Sequence, residues 1–407
     1  PKNVKIMHLQ HLNKILIIII LFSCNENIKK INFDKSKSSE ASYLFSDESN
    51  IYMSWIETDT ANNFLYYSKL ENNQWLDKKL IVKGKDWFIN WADFPSIAVN
   101  SKTNYMIAHY LKKSYDLTFA YDIKYLMNGD EWSEEKFLNT DNTKSEHGFV
   151  SFKPFKDGFI ASWLDGRKTN YLNKELNNHE SGGPMTLRSA FIDSNGKIVE
   201  EYEVDDQVCE CCQTSIAVSN NTPIVVYRDR SDNEIRDISV SRLINNVWSK
   251  PKNLNEDNWK IYGCPVNGPS IDSNDKYIAI AWFTLSNGEP TINLKFSNDN
   301  GESFGNLIKI NNEESKPLGR IDLEMLKNGS VIVSWIDTDR GLGKILLRKI
   351  DPNGNKSEII NPSNISTKRI SGFPQIENIN NDIILSFTKE EKGKKNIETF
   401  KIPISLF

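Results

Sequence analysis

The chain predicts an all-β fold, a β-propeller of four-stranded blades, on three observations: a unit that recurs seven times, the short period of its strands, and the chemistry of its turns. At intervals of roughly fifty residues a short apolar strand is followed by a polar turn and a second strand ending in an aromatic and a polar or acidic residue. The second strands are 51–55, 105–109, 158–163, 224–227, 278–282, 331–335 and 383–387. Helical periodicity appears nowhere at comparable length. The count favours seven blades; six with a degenerate terminal unit is the alternative.

Taken in order, residues 1–24 predict a lipoprotein signal peptide. Lys14 precedes an unbroken apolar run from Ile15 to Phe22, too short for a membrane span, and Leu21-Phe22-Ser23-Cys24 looks like a lipobox whose cysteine is lipidated. This places the protein in the bacterial cell envelope, lipid-anchored through Cys24, at the outer membrane, on its periplasmic or external side. Residues 25–40, rich in Asn, Lys and Ser, read as a flexible tether. Residues 41–407 read as a single propeller domain.

Within that domain, two further strands per unit are joined by turns such as Glu71-Asn72-Asn73, Asn128-Gly129-Asp130, Ser194-Asn195-Gly196, Asn245-Asn246 and Asp351-Pro352-Asn353-Gly354, whose residues tolerate positive φ. Ser297-Asn298-Asp299-Asn300-Gly301-Glu302-Ser303-Phe304 matches the Asp-box of propeller hairpins, in which Asp binds backbone donors of its own turn and the aromatic plugs between sheets. The last unit is short by one strand, and Ile31-Asn32-Phe33 is positioned to supply it, closing the ring without an open edge.

A net charge of -4 with interspersed Lys and Glu excludes a nucleic-acid partner. Propeller geometry puts residues before each innermost strand and after each second strand on one face, around the channel mouth. There lie Asp93, His147, Cys212, Cys264, Arg320 and Arg369, and also Glu57, His109, Asp165, Arg167, Arg228, Asp229, Asp337 and Asp339; starts of third strands add Arg188, Arg236 and Asp237. Arginine suits bidentate grip of a carboxylate, phosphate or sulfate, so an acidic glycan or small anionic ligand is expected at this mouth. The alternative is that Arg167-Asp165, Arg228-Asp229 and Arg236-Asp237 are ion pairs between blades.

Export leaves Cys209, Cys211, Cys212 and Cys264 at equivalent points of successive repeats. Two disulfides are one reading. The other is a soft-metal site for Cu or Zn, formed by Cys209, Cys211, Cys212 and Cys264 with His147.

The segments Asn90-Trp91-Ala92-Asp93-Phe94-Pro95-Ser96, His147-Gly148-Phe149, Trp163-Leu164-Asp165-Gly166-Arg167, Met185-Thr186-Leu187-Arg188, Cys209-Glu210-Cys211-Cys212, Tyr227-Arg228-Asp229, Ile235-Arg236-Asp237-Ile238, Gly263-Cys264-Pro265 and Ser371-Gly372-Phe373-Pro374 resemble a group of exported bacterial propellers labelled sialidase-like or exo-alpha-sialidase. The resemblance implies an envelope protein that recognises or hydrolyses acidic glycans, with an arginine cluster on the substrate carboxylate, an Asp acid/base and a Tyr activated by Glu. The residues that fit are Asp93, Asp165, Asp229 and Tyr227 for catalysis, with Glu146 on the correct face, and Arg167, Arg188, Arg228, Arg236, His147, Arg320 and Arg369 for binding. The Phe/Tyr-Arg-Ile-Pro segment of sialidases is missing; the first repeat reads Tyr43-Leu44-Phe45-Ser46-Asp47 instead. Two other functions compete: a non-catalytic metal- or redox-linked propeller using the cysteines, and a protein-interaction platform.

Overall fold

The second strand of each unit is apolar on both faces, which only an interior position between two other strands and two neighbouring sheets can accommodate. The computed structural model, which describes residues 27–47, 49–169 and 182–407, realises that requirement as seven antiparallel sheets around one axis. The innermost strands are Ser39–Ser46, Ile97–Asn100, His147–Phe155, Ser215–Ser219, Ser270–Ser273, Pro317–Met325 and Gln375–Ile379. Each packs against the next, and the last against the first, so the ring is closed and the blade count is seven. Blades are numbered here from the one that begins with Ser39. In blades 1 and 4 the outermost strand is split into two short pieces.

The aromatic and acidic ending of the second strands has a structural purpose. Trp163, Trp282 and Trp335 are fully buried between sheets, and an indole N–H there needs an acceptor. Trp55 donates to Glu57 at 3.2 Å, Trp163 to Asp165 at 2.9 Å and Trp335 to Asp337 at 3.3 Å. Trp282 reaches Asp257 at 2.6 Å. Glu57, Asp165 and Asp337 are therefore committed first to holding the blade core.

The turns follow their sequence. Asn72 and Asn73 lie at φ 50 and 62, and Asn245 and Asn246 at φ 52 and 61, the left-handed pair of a two-residue hairpin whose twist matches the strands. In the Asp-box, Asp299 accepts from the backbone N–H of Ser303 at 3.0 Å and from Ser297 Oγ at 2.7 Å, Gly301 sits at φ +76, and Phe304 packs on the core shared by blades 4 and 5. These bonds outweigh burial and hold the Asp299 carboxyl down at about 2.

Ring closure corrects the tether. Within residues 25–40, Lys29–Ile31 forms the outermost strand of blade 7, paired with Lys394–Pro403, and Ser39 and Glu40 open the innermost strand of blade 1. The closing strand lies two residues earlier than Ile31-Asn32-Phe33, and Phe33 instead packs edge-on against Trp55 at 5.0 Å. The edge of Lys394–Pro403 would otherwise present unpaired backbone groups, and Lys30 and Lys35 add ion pairs to Glu398. The signal segment and Cys24 lie outside the described residues.

Candidate functional site at the channel mouth

At the mouth, several innermost strands begin with a bulge. Ala41, Phe149 and Arg320 take φ 56, 55 and 51, each at a break in register with the second strand. A bulge there turns a side chain toward the axis. The resulting cavity, about 110 Å³, is lined from all seven blades, including Tyr43, Asp93, Phe149, Gln213, Asp322 and Phe373. That is room for several waters or for the charged substituent of a sugar, and not for a sugar chain.

Asp93 forms one wall. It accepts the Phe149 N–H at 2.7 Å and lies 3.4 Å from the Tyr121 hydroxyl, which donates to Glu146 at 2.7 Å. Tyr121 is stacked on Phe88 and buried, so a ligand reaches this trio through Asp93. Burial, reinforced by Glu146, drives the Asp93 carboxyl well above its ordinary range. Burial also pushes Glu146 up to about 7, with Glu210 adding to it. A carboxyl raised above its ordinary range beside one that titrates near neutrality is an arrangement suited to acid–base catalysis. The Tyr–Glu pair thus exists, but its phenol is Tyr121, at the start of a third strand, and not Tyr227.

Tyr227 and Asp229 occupy a different place. Tyr227 donates to Asp205 at 2.5 Å, and Asp229 accepts from Ser239 at 2.6 Å. Asp229 lines an open cleft of about 740 Å³ beside blades 3 and 4, together with Asp205, Asp206, Asp232 and Asp237 and with Arg230 as its cation, and Tyr227 is buried behind Asp205. Burial and then Asp229 raise Asp205 to about 6. The cleft's acidity repels an anion.

Asp165 belongs to a third group. It receives Arg167 Nε at 2.7 Å and Nη2 at 2.8 Å. His147 Nε2 lies 3.1 Å from Asp141 and 3.8 Å from Asp165, and its Nδ1 faces the Tyr121 carbonyl at 3.1 Å. Burial opposes a charged imidazole, but Asp141 and Asp165 outweigh it and raise His147. Arg167 also meets Glu201 at 3.1 Å, and Arg188 meets Glu201 at 2.8 Å and Glu203 at 3.0 Å. Two arginines facing Asp141, Asp165, Glu201 and Glu203 carry no surplus positive charge. Arg167, Arg188 and His147, expected to bind an anion, are thus each placed against carboxylates of the protein itself.

Arg228, also expected to bind an anion, sits differently. It is buried and donates only to the carbonyls of Asn267, Arg236 and Phe283, at 2.9, 2.6 and 2.7 Å, with Trp259 beneath it. The expected Arg228-Asp229 and Arg236-Asp237 pairs do not form among the described residues. Arg236 meets Glu210 at 2.7 Å and Glu234 at 2.8 Å instead. His109 is a core residue: it bonds Ser96, and burial lowers it to about 3.

Arg320 and Arg369 remain. Arg320 is 7 % exposed, donates to the carbonyls of Thr367, Lys368 and Gly372 and to Ser371 Oγ, and lies over Trp91 at 4.7 Å. Arg369 is exposed and stands over the same ring at 5.8 Å. Neither has an acidic partner among the described residues. Burial, and then the neighbouring Arg369, lowers Arg320 to about 10, the mark of a cation without a counter-charge. Trp91 in turn stacks on Phe373, a wall of the cavity that Asp93 also lines.

The cysteines converge beside this mouth as free thiols. Cys209 Sγ and Cys212 Sγ are 3.6 Å apart, far beyond the roughly 2.05 Å of a disulfide, so neither expected bridge is formed. Cys211 touches Cys209, Cys212 and Cys264. Burial opposes a thiolate at Cys209, yet Cys211, Cys212, Arg236 and Arg228 outweigh it and hold it well below the ordinary range. His147 is not with them; it closes on Asp141 and Asp165, as described.

No protein-family model and no curated protein matches the chain. Solved structures do. The phage phi92 endosialidase superposes with a TM-score of 0.52 at 11 % identity over 93 % of this chain and 69 % of its own. An ulvan lyase bound to -[GlcA(1-4)Rha3S]- gives 0.53 at 8 % identity over 92 % and 96 %. A neuraminidase-like protein from A/bat/Guatemala gives 0.50 at 10 % identity over 94 % and 95 %. These likenesses establish the fold.

Tyr121, Asp141, Glu201 and Asp205 were not found by sequence reasoning as members of these groups. Tyr121 had a signal, since it opens the third strand of blade 2 at the mouth end, as Met185 opens that of blade 3. Asp141, Glu201 and Asp205 had none, because their partners lie on other strands or loops.

Proposed function

We propose that this chain is a cell-envelope protein that binds acidic glycans at the mouth of its central channel and cleaves them there by general-acid catalysis. The observation that carries the reading is the pair Arg320 and Arg369, two guanidinium groups without a counter-charge beside a cavity walled by Asp93, whose carboxyl burial drives well above its ordinary range. An anionic substituent, carboxylate or sulfate, supplies the missing charge. Trp91 and Phe373 offer an apolar edge to a sugar ring. Asp93 then lies on the cavity wall as proton donor, and burial and Glu146 hold its proton against the opposing pull of the Phe149 N–H and the Tyr121 hydroxyl. The sialidase, neuraminidase-like and ulvan-lyase neighbours support a glycan as the ligand class by analogy of fold.

A glycan array carrying sialylated, uronate and sulfated chains beside neutral ones tests the binding step. Arg369→Met, exposed and free of structural hydrogen bonds among the described residues, should weaken binding to the acidic members at least about tenfold and leave the melting temperature unchanged. Equal binding of wild type and variant, or a preference for neutral chains, overturns the reading.

The envelope address rests on Lys14, the run from Ile15 to Phe22 and Ser23-Cys24. Cys24→Ser should move the protein from the membrane to the soluble fraction of its host. Continued membrane fractionation of that variant removes the anchor from the proposal.

A further inference from the structure

We propose that Cys209, Cys211, Cys212 and Cys264 form a tetrahedral thiolate site for a thiophilic d¹⁰ cation, zinc(II) or copper(I), that staples blades 3, 4 and 5 together at the channel mouth. The inference is independent of any glycan activity.

Three observations carry it. The first is distance. Zinc–sulfur bonds of about 2.3 Å at the tetrahedral angle set two sulfurs about 3.8 Å apart. Cys209 and Cys212 stand at 3.6 Å, and the sulfurs of Cys209, Cys211 and Cys212 all lie within 4.8 Å of one another. Cys264, on the loop between blades 4 and 5, lies outside that trio but borders Cys211 from the solvent side, and closing on the trio would make it the fourth sulfur.

The second is charge. Four thiolates on zinc(II) leave a net charge of about -2, which would be costly in a site where Cys209 and Cys212 are fully buried. Two cations answer it. Arg236 Nη1 donates to Cys209 Sγ at 3.1 Å. Arg228, equally buried, has only backbone carbonyls as hydrogen-bond acceptors and no carboxylate in an ion pair among the described residues. Its charge acts on Asp237 and also on the Cys209 and Cys212 thiols, where it favours the thiolate.

The third is orientation. The backbone N–H of Asn267 points at Cys212 Sγ at 3.4 Å, and Asn267 also accepts from the Arg320 N–H at 2.7 Å. N–H groups aimed at sulfur are the outer-shell contacts that orient thiolate ligands. Because Cys209, Cys211 and Cys212 join blade 3 to blade 4, and Cys264 joins blade 4 to blade 5, one ion ties three sheets whose inner strands otherwise meet by packing and by hydrogen bonds such as Ile216 N–H to Ser151 Oγ at 3.2 Å and Ile271 N–H to Ser215 Oγ at 3.3 Å.

Each thiol gives up its proton as it binds, so uptake releases acid and weakens at low pH. The test uses the full chain, purified anaerobically, reduced and stripped with chelator. Titration with zinc(II) should give one equivalent bound, and cobalt(II) in its place should give intense thiolate charge-transfer absorption with tetrahedral visible bands. A separate arm with copper(I) decides between the two ions by competition. Cys264→Ser, exposed and harmless to the core, should abolish the four-sulfur signature, and Arg236→Met should weaken the metal about 10- to 100-fold. Metal should also raise the melting temperature of the wild type and not of Cys264→Ser. Absence of charge-transfer bands and of retained metal in both arms overturns the proposal. So does a protein that is isolated metal-free with no titratable thiol and a mass four hydrogens light, which assigns the cysteines to disulfides.

Discussion

Asp93→Asn is expected to lower kcat/KM on a cleaved acidic glycan by about 10²- to 10⁴-fold, the usual contribution of a positioned proton donor. The amide keeps the shape of the carboxyl and its acceptor for the Phe149 N–H, so folding and glycan binding should survive; only the transferable proton is lost. The wild-type rate should fall on the alkaline side as Asp93 ionises, because burial and Glu146 place that ionisation well above the ordinary carboxyl range. Gly148→Ala should copy the defect by a different route, since a Cβ at that position collides with the Asp93 carboxylate. A fluorogenic sialoside and a reducing-end assay on uronate polysaccharides provide the measurement. Unchanged kcat/KM in Asp93→Asn would remove Asp93 from the chemistry and leave the mouth as a binding site.

The second large effect is an inverted dependence of stability on pH. The channel below the mouth is lined by Asp272, Asp322, Glu324 and Glu377 with Lys153 as their cation and Tyr43 above them. Lys153, Asp272, Asp322 and Glu377 are walled in by protein, yet their partial exposure shows that they face channel water. Burial raises Glu377 to about 8 and Asp322 to about 6, and raises Asp272 and Glu324 as well. Outside the channel, Glu146 at about 7 and Asp205 at about 6 behave alike, again chiefly through burial. Each of these acids binds its proton more tightly folded than unfolded. Its stabilising share is complete below the unfolded value and is lost as pH rises through the folded one. His147, raised in the fold, has the same sign, whereas His109, lowered to about 3, opposes it below about pH 6.5. The depressed Cys209 thiol opposes it as well, but the raised carboxyls outnumber His109 and Cys209, so the protein should melt several degrees higher at about pH 5.5 than at about pH 8. Glu377→Gln should flatten that difference. A melting temperature that is lower at the acidic pH would mean that the channel acids stay ionised and that a cation other than Lys153 compensates them.

Much of the fold was legible because blade structure is local. Strand period, left-handed Asn pairs and the Asp-box are set by each residue's own backbone preferences and by neighbours a few positions away. So the seven units, their second strands and the closure of blade 7 from the N-terminal side could be read, with the closing strand misplaced by two residues. The convergence of the cysteines was legible too, since equivalent points of consecutive repeats must become neighbours once the ring closes.

Charge compensation was not legible. Arg167, Arg188, Arg228, Arg236, Arg320 and Arg369 look alike in sequence, each at the mouth end of its blade. Arg188 is neutralised by Glu203, Arg228 spends its donors on carbonyls up to 55 positions away, and Arg320 finds its acceptors 47 to 52 positions on. The same holds for Glu146, whose phenol partner is Tyr121, 25 positions back and in another blade. The sequence by itself determined the propeller, favoured seven blades over six and nominated residues for the mouth, because hydrophobic period and turn chemistry act within a few residues. Only the tertiary structure decided which of those residues keep a free charge or a mobile proton, because that depends on distances between blades, to which local backbone preference is blind.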